Sequence, residues 1–145
     1  MLRKFLYFLL SLLLVIFIIG VIFVKKSQPV YNGNIKLHGL EKEVSVYFDT
    51  YGIPHIFAET EKDAYEALGY VHAQDRLWQM EVIRRVAAGR LSEIFGKDLI
   101  KTDKFFRGLG IEAAAQRNIQ QLDTTSQAYQ LTMSYLSGIN HYIDE

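Results

Sequence analysis

The sequence contains no cysteine, and only two of its 145 residues are proline. The absence of cysteine excludes disulfide scaffolds, thiolate zinc sites and cysteine nucleophiles together. Acidic side chains are absent before Glu41, although the whole chain carries 16 acidic and 16 basic residues. Because the net charge is zero, nucleic-acid binding through a strongly basic surface is excluded, and no nucleic-acid partner is expected.

A long apolar run near the amino terminus sets the first 26 residues apart from the rest. Residues 5–24 contain only Ser11 and Gly20 besides large apolar side chains, and basic residues flank them on both sides. As a helix, this run is long enough to cross the roughly 30 Å hydrocarbon core of a bilayer. A secretory signal usually has a shorter apolar core, of about 7 to 15 residues, and a cleavage site of small residues. Residues 1–26 are therefore predicted to be an uncleaved membrane anchor, with a cleaved signal sequence as the alternative.

The basic residues beside this run indicate its orientation. The amino terminus with Arg3 and Lys4 outweighs Lys25 and Lys26 on the other side, which favours the amino end inside the cell. We expect a single-pass protein of the cytoplasmic membrane, held through residues 5–24, with its soluble part facing the periplasm or exterior.

Alternating apolar residues after a polar linker at 27–34 predict short strands. Residues 35–37 and 44–48 are predicted to pair as a hairpin, and a third strand is predicted at 53–58, with Pro54 near its start or on an edge. The residues between the second and third strands, Asp49-Thr50-Tyr51-Gly52, are typical of a turn.

Helical patterns follow to the end of the chain. Thr60 is predicted to cap a helix that continues to about Ala88 and stops at Gly89, with Gly69 a plausible point for a kink. Shorter helices are predicted at 91–95, 103–110 and 111–122. The last helix is predicted to be capped by Asp123, Thr124 or Thr125 and to carry one apolar face: Ala128, Leu131, Tyr135, Leu136, Ile139 and Tyr142 or Ile143. The predicted class is α+β: a transmembrane helix, a short β-hairpin or meander, then mainly helices.

One stripe of the long helix carries polar groups where a buried face is expected. At steps of three and four residues it contains Ala67, Val71, Gln74, Trp78, Glu81 and Arg85. Buried polar groups are tolerated only when they are hydrogen-bonded or paired, and Glu81 and Arg85 have the spacing of an ion pair. A structural network is therefore predicted: Gln74, Asp75, Arg76, Glu81 and Arg85.

No catalytic or metal site is predicted from this chain's own residues. The four histidines lack the short spacings of metal sites, so no cofactor or metal is expected in this chain. His55 is interpreted as a strand residue bonded to a backbone group, and His72 as a packed helix residue. No serine lies in a Gly-x-Ser-x-Gly or Ser-x-x-Lys pattern, and no glycine-rich phosphate loop is present.

Several spaced motifs nevertheless resemble a known family. They are residues 49–56 (DTYGIPHI), Asp63-Ala64, residues 68–81 (LGYVHAQDRLWQME), Arg84-Arg85, residues 89–96 (GRLSEIFG), Asp103 and Arg107. This pattern resembles the start of the penicillin acylase (penicillin amidase) family of N-terminal nucleophile hydrolases, closely over about 48–110 and loosely to 145. Many members have arginine before the first aspartate, where this chain has Phe48.

The resemblance implies an amidase made as one precursor that cuts itself into two chains. It implies that residues 35–145 form part of an αββα sandwich and that the second chain of the precursor is the partner. It also implies a catalytic serine at the start of that second chain, beyond Glu145. Calcium is possible in the complete protein, and typical substrates are apolar acyl amides, such as β-lactam side chains or acyl homoserine lactones, which connects the family with antibiotic metabolism. On this reading the 145 residues are an inactive N-terminal fragment.

Two other readings remain open. The first is a non-catalytic, membrane-tethered binding module with an acylase-like beginning, which would need a closed core. The second is a small single-span regulator that acts through the helices at 111–145.

Overall fold

The computed structural model describes residues 2–26, 28, 29 and 31–144. The chain divides into two compact units, residues 1–34 and 35–145. The first unit contains helix α1 (Leu2–Lys26), whose described side chains are exposed along its whole length. An 18-residue stretch within Arg3–Lys26 has a mean hydropathy of 3.1, which makes the helix a candidate membrane span, a property that signal sequences share. Residues 27 and 30 of the predicted linker lie outside the described residues.

The second unit begins with an antiparallel hairpin of β1 (Ser45–Phe48) and β2 (Pro54–Phe57). In its register Val46 lies opposite Ile56 and Phe48 opposite Pro54, and these four side chains form the half-buried face. Alternation of buried and exposed positions along both strands is the pattern of a sheet with one covered face. The prediction that Pro54 begins a strand is confirmed.

The loop between the strands is built on one carboxylate. Asp49 Oδ1 accepts hydrogen bonds from the amides of Tyr51 at 2.8 Å and Ile53 at 2.9 Å. Gly52 has a positive φ of 75°, which a side chain would disfavour. The turn predicted at 49–52 is therefore present, and it connects β1 to β2.

The predicted hairpin between 35–37 and 44–48 is wrong. Residues 35–37 form no strand, and β1 pairs with β2 instead. The physical reason lies in the residues that follow, because the amides of Gly39 and Glu41 are bonded to side chains of the next helix rather than to a strand.

The long helix α2 (Glu61–Ala88) begins and ends where the sequence predicts. The Thr60 hydroxyl accepts a hydrogen bond from the amide of Asp63 at 3.1 Å, which is an N-cap. Gly89 ends the helix in the left-handed conformation, with φ of 61°. A side chain at Gly89 would also collide with the carbonyl oxygen of Asp103 and the side chain of Arg107.

Three short helices lead from α2 to the last helix. They are α3 (Ser92–Phe95), α4 (Ile100–Gly108), which follows a 3₁₀ turn at Lys97–Leu99, and α5 (Ile111–Ile119). All three lie close to the predicted segments, with boundaries that differ by up to three residues. The described residues are thus mostly helical with a small two-stranded sheet, which agrees with the predicted α+β class.

Helix α6 (Gln127–Asp144) packs along α2. Its cap is Ser126, whose hydroxyl accepts from the amide of Tyr129 at 3.2 Å, and not one of the three residues predicted. Asp123 is already used in a turn, where it accepts from the amide and hydroxyl of Thr125. The predicted apolar face is only partly covered: Leu131, Tyr135, Ile139 and Tyr142 are buried or half-buried, whereas Ala128, Leu136 and Ile143 are exposed.

Two glycines allow α2 and α6 to approach closely. A side chain at Gly69 would collide with the carbonyl oxygen of Tyr135, and one at Gly138 would collide with that of Glu66. α2 runs without a break through Gly69, so the kink considered there is absent. Since both glycines are buried at this crossing, close packing explains a residue that costs about 1 kcal/mol in a helix.

Candidate functional site

The most buried polar groups of the second unit are three carboxylates, and each of them binds backbone amides. Asp63 is 1% exposed and lies in the first turn of α2. Its Oδ1 accepts from the amide of Glu41 at 2.8 Å. Burial acts to raise the pKa of Asp63, but hydrogen bonds from Glu41, Thr60 and Lys42, with the charge of Lys42, outweigh it and hold the pKa below its usual value.

Glu66, one turn later, is 4% exposed. Its Oε1 accepts from the amide of Gly39 at 3.1 Å and from the hydroxyl of Ser137 on α6 at 3.4 Å. A side chain at Gly39 would meet this carboxylate, which would have to shift from its present position. Glu66 therefore joins α2, α6 and the segment before β1.

Asp103 on α4 performs the same task at the other end of α2. It is 5% exposed, and its two oxygens accept from the amides of Leu91 and Ser92, each at 2.8 Å. Burial acts to raise the pKa of Asp103, whereas these hydrogen bonds and the charge of Arg107 lower it further than burial raises it. Arg107 in turn donates from Nε to the carbonyl oxygen of Gly89 at 2.9 Å. The turn between α2 and α3 is thus held by two side chains of α4.

An ion-pair network occupies the second half of α2 and the start of α3. Glu81 accepts from Arg84 Nε at 2.8 Å and from Arg85 Nε at 2.6 Å. Arg85 also donates to Glu93 at 2.5 Å, and Glu93 accepts from Arg90 Nε at 2.8 Å. The hydrogen bonds from Arg84 and then Arg85 lower the pKa of Glu81 to about 2.

One pair of the predicted network is visible in these contacts. Glu81 is paired with Arg85, whereas Gln74 and Asp75 are half-buried and Arg76 is exposed. The role of all five as one structural network stays a prediction.

Sequence reasoning missed Glu93 as a member of the network. The available signal was its position three residues after Arg90, a spacing that brings side chains together on a helical turn.

The stripe expected to be buried is open over its second half. Ala67 and Val71 are buried, but Trp78 is 56% exposed, and Glu81 and Arg85 are half-buried. The indole of Trp78 packs edge-to-face on Phe95, at a ring separation of 6.1 Å.

The histidines make contacts that differ from those predicted. His55 lies 3.5 Å from the carboxylate of Asp49 rather than on a backbone group. His72 is exposed, not packed, and its Nδ1 lies 2.6 Å from the hydroxyl of Tyr135. The rings of His38 and His141 lie in a tilted arrangement, with centroids 5.4 Å apart.

Metal ligation finds no support in these side chains. Within the described ranges, no group of three or more His, Asp or Glu residues could hold a metal ion. Asp63 Oδ1, Glu66 Oε1 and both carboxylate oxygens of Asp103 accept hydrogen bonds from backbone amides. Chemically, these carboxylates and ion pairs can position backbone and balance charge.

Comparison with known proteins gives this framework its context. Residues 43–145 match the family model described as penicillin amidase. The chain belongs to the penicillin amidase family. The matched region includes the hairpin, the three buried carboxylates and the ion-pair network, so the resemblance of the motifs is confirmed.

Curated relatives and a solved structure support this membership. The penicillin acylase 2 proenzyme of Pseudomonas sp. (strain SE83) is 42% identical over 117 residues, 81% of this chain and 15% of that protein. The acyl-homoserine lactone acylase QuiP of Pseudomonas aeruginosa is 37% identical, over 81% of this chain and 14% of that protein. The thermostable penicillin G acylase of Alcaligenes faecalis is similar in structure, with a TM-score of 0.59 and 34% identity over 70% of this chain and 53% of that one. The chain thus spans about one seventh of the length of these curated relatives.

Proposed function

We propose that this chain is the amino-terminal scaffold of a penicillin-acylase-like amidase, and that the reaction uses a serine in polypeptide beyond Glu145. The observation that carries the proposal is the match of residues 43–145 to the family, combined with relatives several times longer than this chain. One relative is named a proenzyme, which supports a precursor that is processed into partner chains.

In the proposed mechanism, the serine lies at the start of the second chain. Its hydroxyl attacks the amide carbonyl carbon, and its own α-amino group takes the hydroxyl proton. An α-amino group has an ordinary pKa near 8, so its neutral form is available near neutral pH. Hydrogen-bond donors of the second chain would stabilise the oxyanion. The amide nitrogen leaves with a proton, and water then releases the acyl group from the serine.

The proposed substrates are amides that carry an apolar acyl group. The relatives are named as acylases of penicillin and of acyl-homoserine lactones, and both substrates contain such an amide. In this proposal the chain contributes structural scaffold to the enzyme and no catalytic residue.

The second chain is proposed to cover the open half of α2. Trp78 and Phe95 are both more than half exposed there, beside the arginines of the ion-pair network. Tryptophan and arginine are enriched among the residues that dominate protein interfaces. In the complete enzyme, this patch would lie inside the αββα sandwich.

Helix α1 is proposed to anchor the enzyme in the cytoplasmic membrane, with the second unit on the periplasmic or outer side. Its length and hydropathy support this, and a cleaved signal sequence is the competing reading. Mass spectrometry of the mature protein, in both the membrane pellet and the supernatant of an alkaline carbonate extraction, separates the two. A membrane-bound species that retains residues 1–26 is expected, whereas a soluble species that starts after residue 26 would contradict anchoring.

Complementation tests the scaffold role itself. Residues 1–145 are co-expressed with a precursor that lacks them, and hydrolysis of penicillin G and of a long-chain N-acyl homoserine lactone is measured. We expect activity only when both pieces are present. Activity of the precursor without residues 1–145 would contradict the proposal.

A further inference from the structure

Residues 37–42, which we call the strap, cross α2 and α6 without forming helix or strand. The amide of Gly39 donates to Glu66 Oε1 at 3.1 Å, and the amide of Glu41 donates to Asp63 Oδ1 at 2.8 Å. The ring of His38 contacts that of His141 on α6, with the two planes inclined by 58°. The strap is therefore fixed to both helices through side chains rather than through a sheet.

The two carboxylates that bind the strap are almost fully buried. Asp63 and Glu66 are 1% and 4% exposed, and carboxylates this buried are normally paired. Each accepts a hydrogen bond from a strap amide, and hydrogen bonds to charged groups are stronger than neutral ones. Since water can replace an amide as the donor to a carboxylate, opening the strap leaves neither charge buried and unpaired.

The strap buries few of its side chains. Leu37 and Leu40 are half-buried, and the other four residues are exposed. Segments with little apolar burial open at lower free energy than the helices beneath them.

We propose that the strap opens and closes as a unit while α2 and α6 stay folded, and that it thereby sets the free length of chain before β1. Six extended residues reach roughly 20 Å. If α1 anchors the chain as proposed, opening of the strap lengthens the flexible segment between α1 and β1 by up to this distance. Only this consequence depends on the anchoring.

Hydrogen exchange of the 145-residue chain in detergent micelles tests the opening. The amides of Gly39 and Glu41 are expected to be protected, yet to exchange faster than those of Val71 and Ala73 in α2. Their rates should not change at low guanidinium concentrations, because local opening exposes little surface. Exchange with the same rate and denaturant dependence as α2 would overturn the proposal, and so would a complete lack of protection.

A substitution then tests the hydrogen bond between the Gly39 amide and Glu66. Glu66→Ala should accelerate exchange at Gly39 by about tenfold to a hundredfold, the equivalent of one charge-assisted hydrogen bond, with Val71 unchanged. Glu112→Ala, which removes an exposed carboxylate of α5, is the matched control and should change neither rate. An unchanged exchange rate at Gly39 in Glu66→Ala would show that Glu66 does not hold the strap. If this variant does not fold, the wild-type denaturant series decides. Both results are independent of whether α1 is cleaved and of amidase activity.

Discussion

At the scale of the residue, buried acids act in this chain as acceptors for backbone rather than as acid-base groups. Asp63, Glu66 and Asp103 each hold a segment that has no regular partner of its own. This arrangement satisfies amides that a sheet or helix would otherwise pair. The sequence showed Asp63 and Asp103 as residues of the family motifs, but no local pattern predicts which distant amides they accept from.

Asp103 offers the clearest single-residue test. Asp103→Ala removes both acceptors from the amides of Leu91 and Ser92, which then lie unpaired near the end of α2. We expect a lower Tm and faster amide exchange at these two positions. Asp103→Asn should have a smaller effect, because it keeps one acceptor oxygen.

Asp98, an exposed residue of the 3₁₀ turn, provides the control, and Asp98→Asn should leave the Tm unchanged. Equal Tm values of wild type and Asp103→Ala, measured by circular dichroism, would show that Asp103 does not stabilise this turn.

The lowered pKa values of Asp63, Glu81 and Asp103 predict how stability depends on pH. Each group ionises at lower pH in the folded chain than in the unfolded one, so each stabilises the fold above its unfolded pKa of about 4. This stability is lost as the pH falls through the folded values, which extend to about 2 for Glu81. The Tm should therefore fall steeply between about pH 5 and pH 2. A Tm that stays level or rises over this interval would contradict a stabilising role of the three ionised carboxylates.

Glu81 has a milder role than its spacing with Arg85 alone suggests. Arg85 also donates to Glu93, so Glu81→Ala leaves it one partner, whereas Arg84 loses its bidentate contact. In the complete protein we expect impaired folding or self-cleavage rather than a raised KM alone.

A double-mutant cycle tests whether Glu81 and Glu93 share Arg85 as their partner. The Tm loss of Glu81→Ala with Glu93→Ala should exceed the sum of the single losses, because only the double variant leaves Arg85 without either carboxylate. Strict additivity would show that the two acids act independently.

At the scale of the element, the crossing of α2 and α6 depends on two glycines. Gly69→Ala or Gly138→Ala should destabilise the second unit by about 1–3 kcal/mol or more, since the added methyl group meets backbone that cannot move without separating the helices. Gly108→Ala is the control, because no atom lies within 4 Å of its new methyl group. Chemical denaturation of the three variants measures this, and equal effects at all three positions would contradict the crossing.

Helix α2 was predictable because its signals are local: Thr60 caps its own helix, and Gly89 ends it. The strands were less predictable from the sequence. Apolar alternation predicted β1 and β2, but it also predicted a strand at 35–37, where the partner is decided by Asp63 and Glu66 more than twenty residues away. The Gly69 crossing is likewise invisible locally, since only the position of Tyr135 shows why glycine is required.

At the scale of the whole molecule, the family was predictable from motifs that the structure distributes over scaffold positions. Gly89, Asp103 and Arg107, quoted as family motifs, hold one turn together. The role of the open stripe around Trp78 could not be predicted by periodicity, which expects the whole face to be covered.

We propose above all that this chain supplies framework to an amidase whose attacking atom belongs to other polypeptide. The most direct test of this claim is hydrolysis of penicillin G and of a long-chain N-acyl homoserine lactone by the purified 145-residue chain, beside the complete precursor. We predict turnover by the processed precursor and a rate for the chain alone equal to that of buffer. Amide cleavage by the chain alone would contradict the claim.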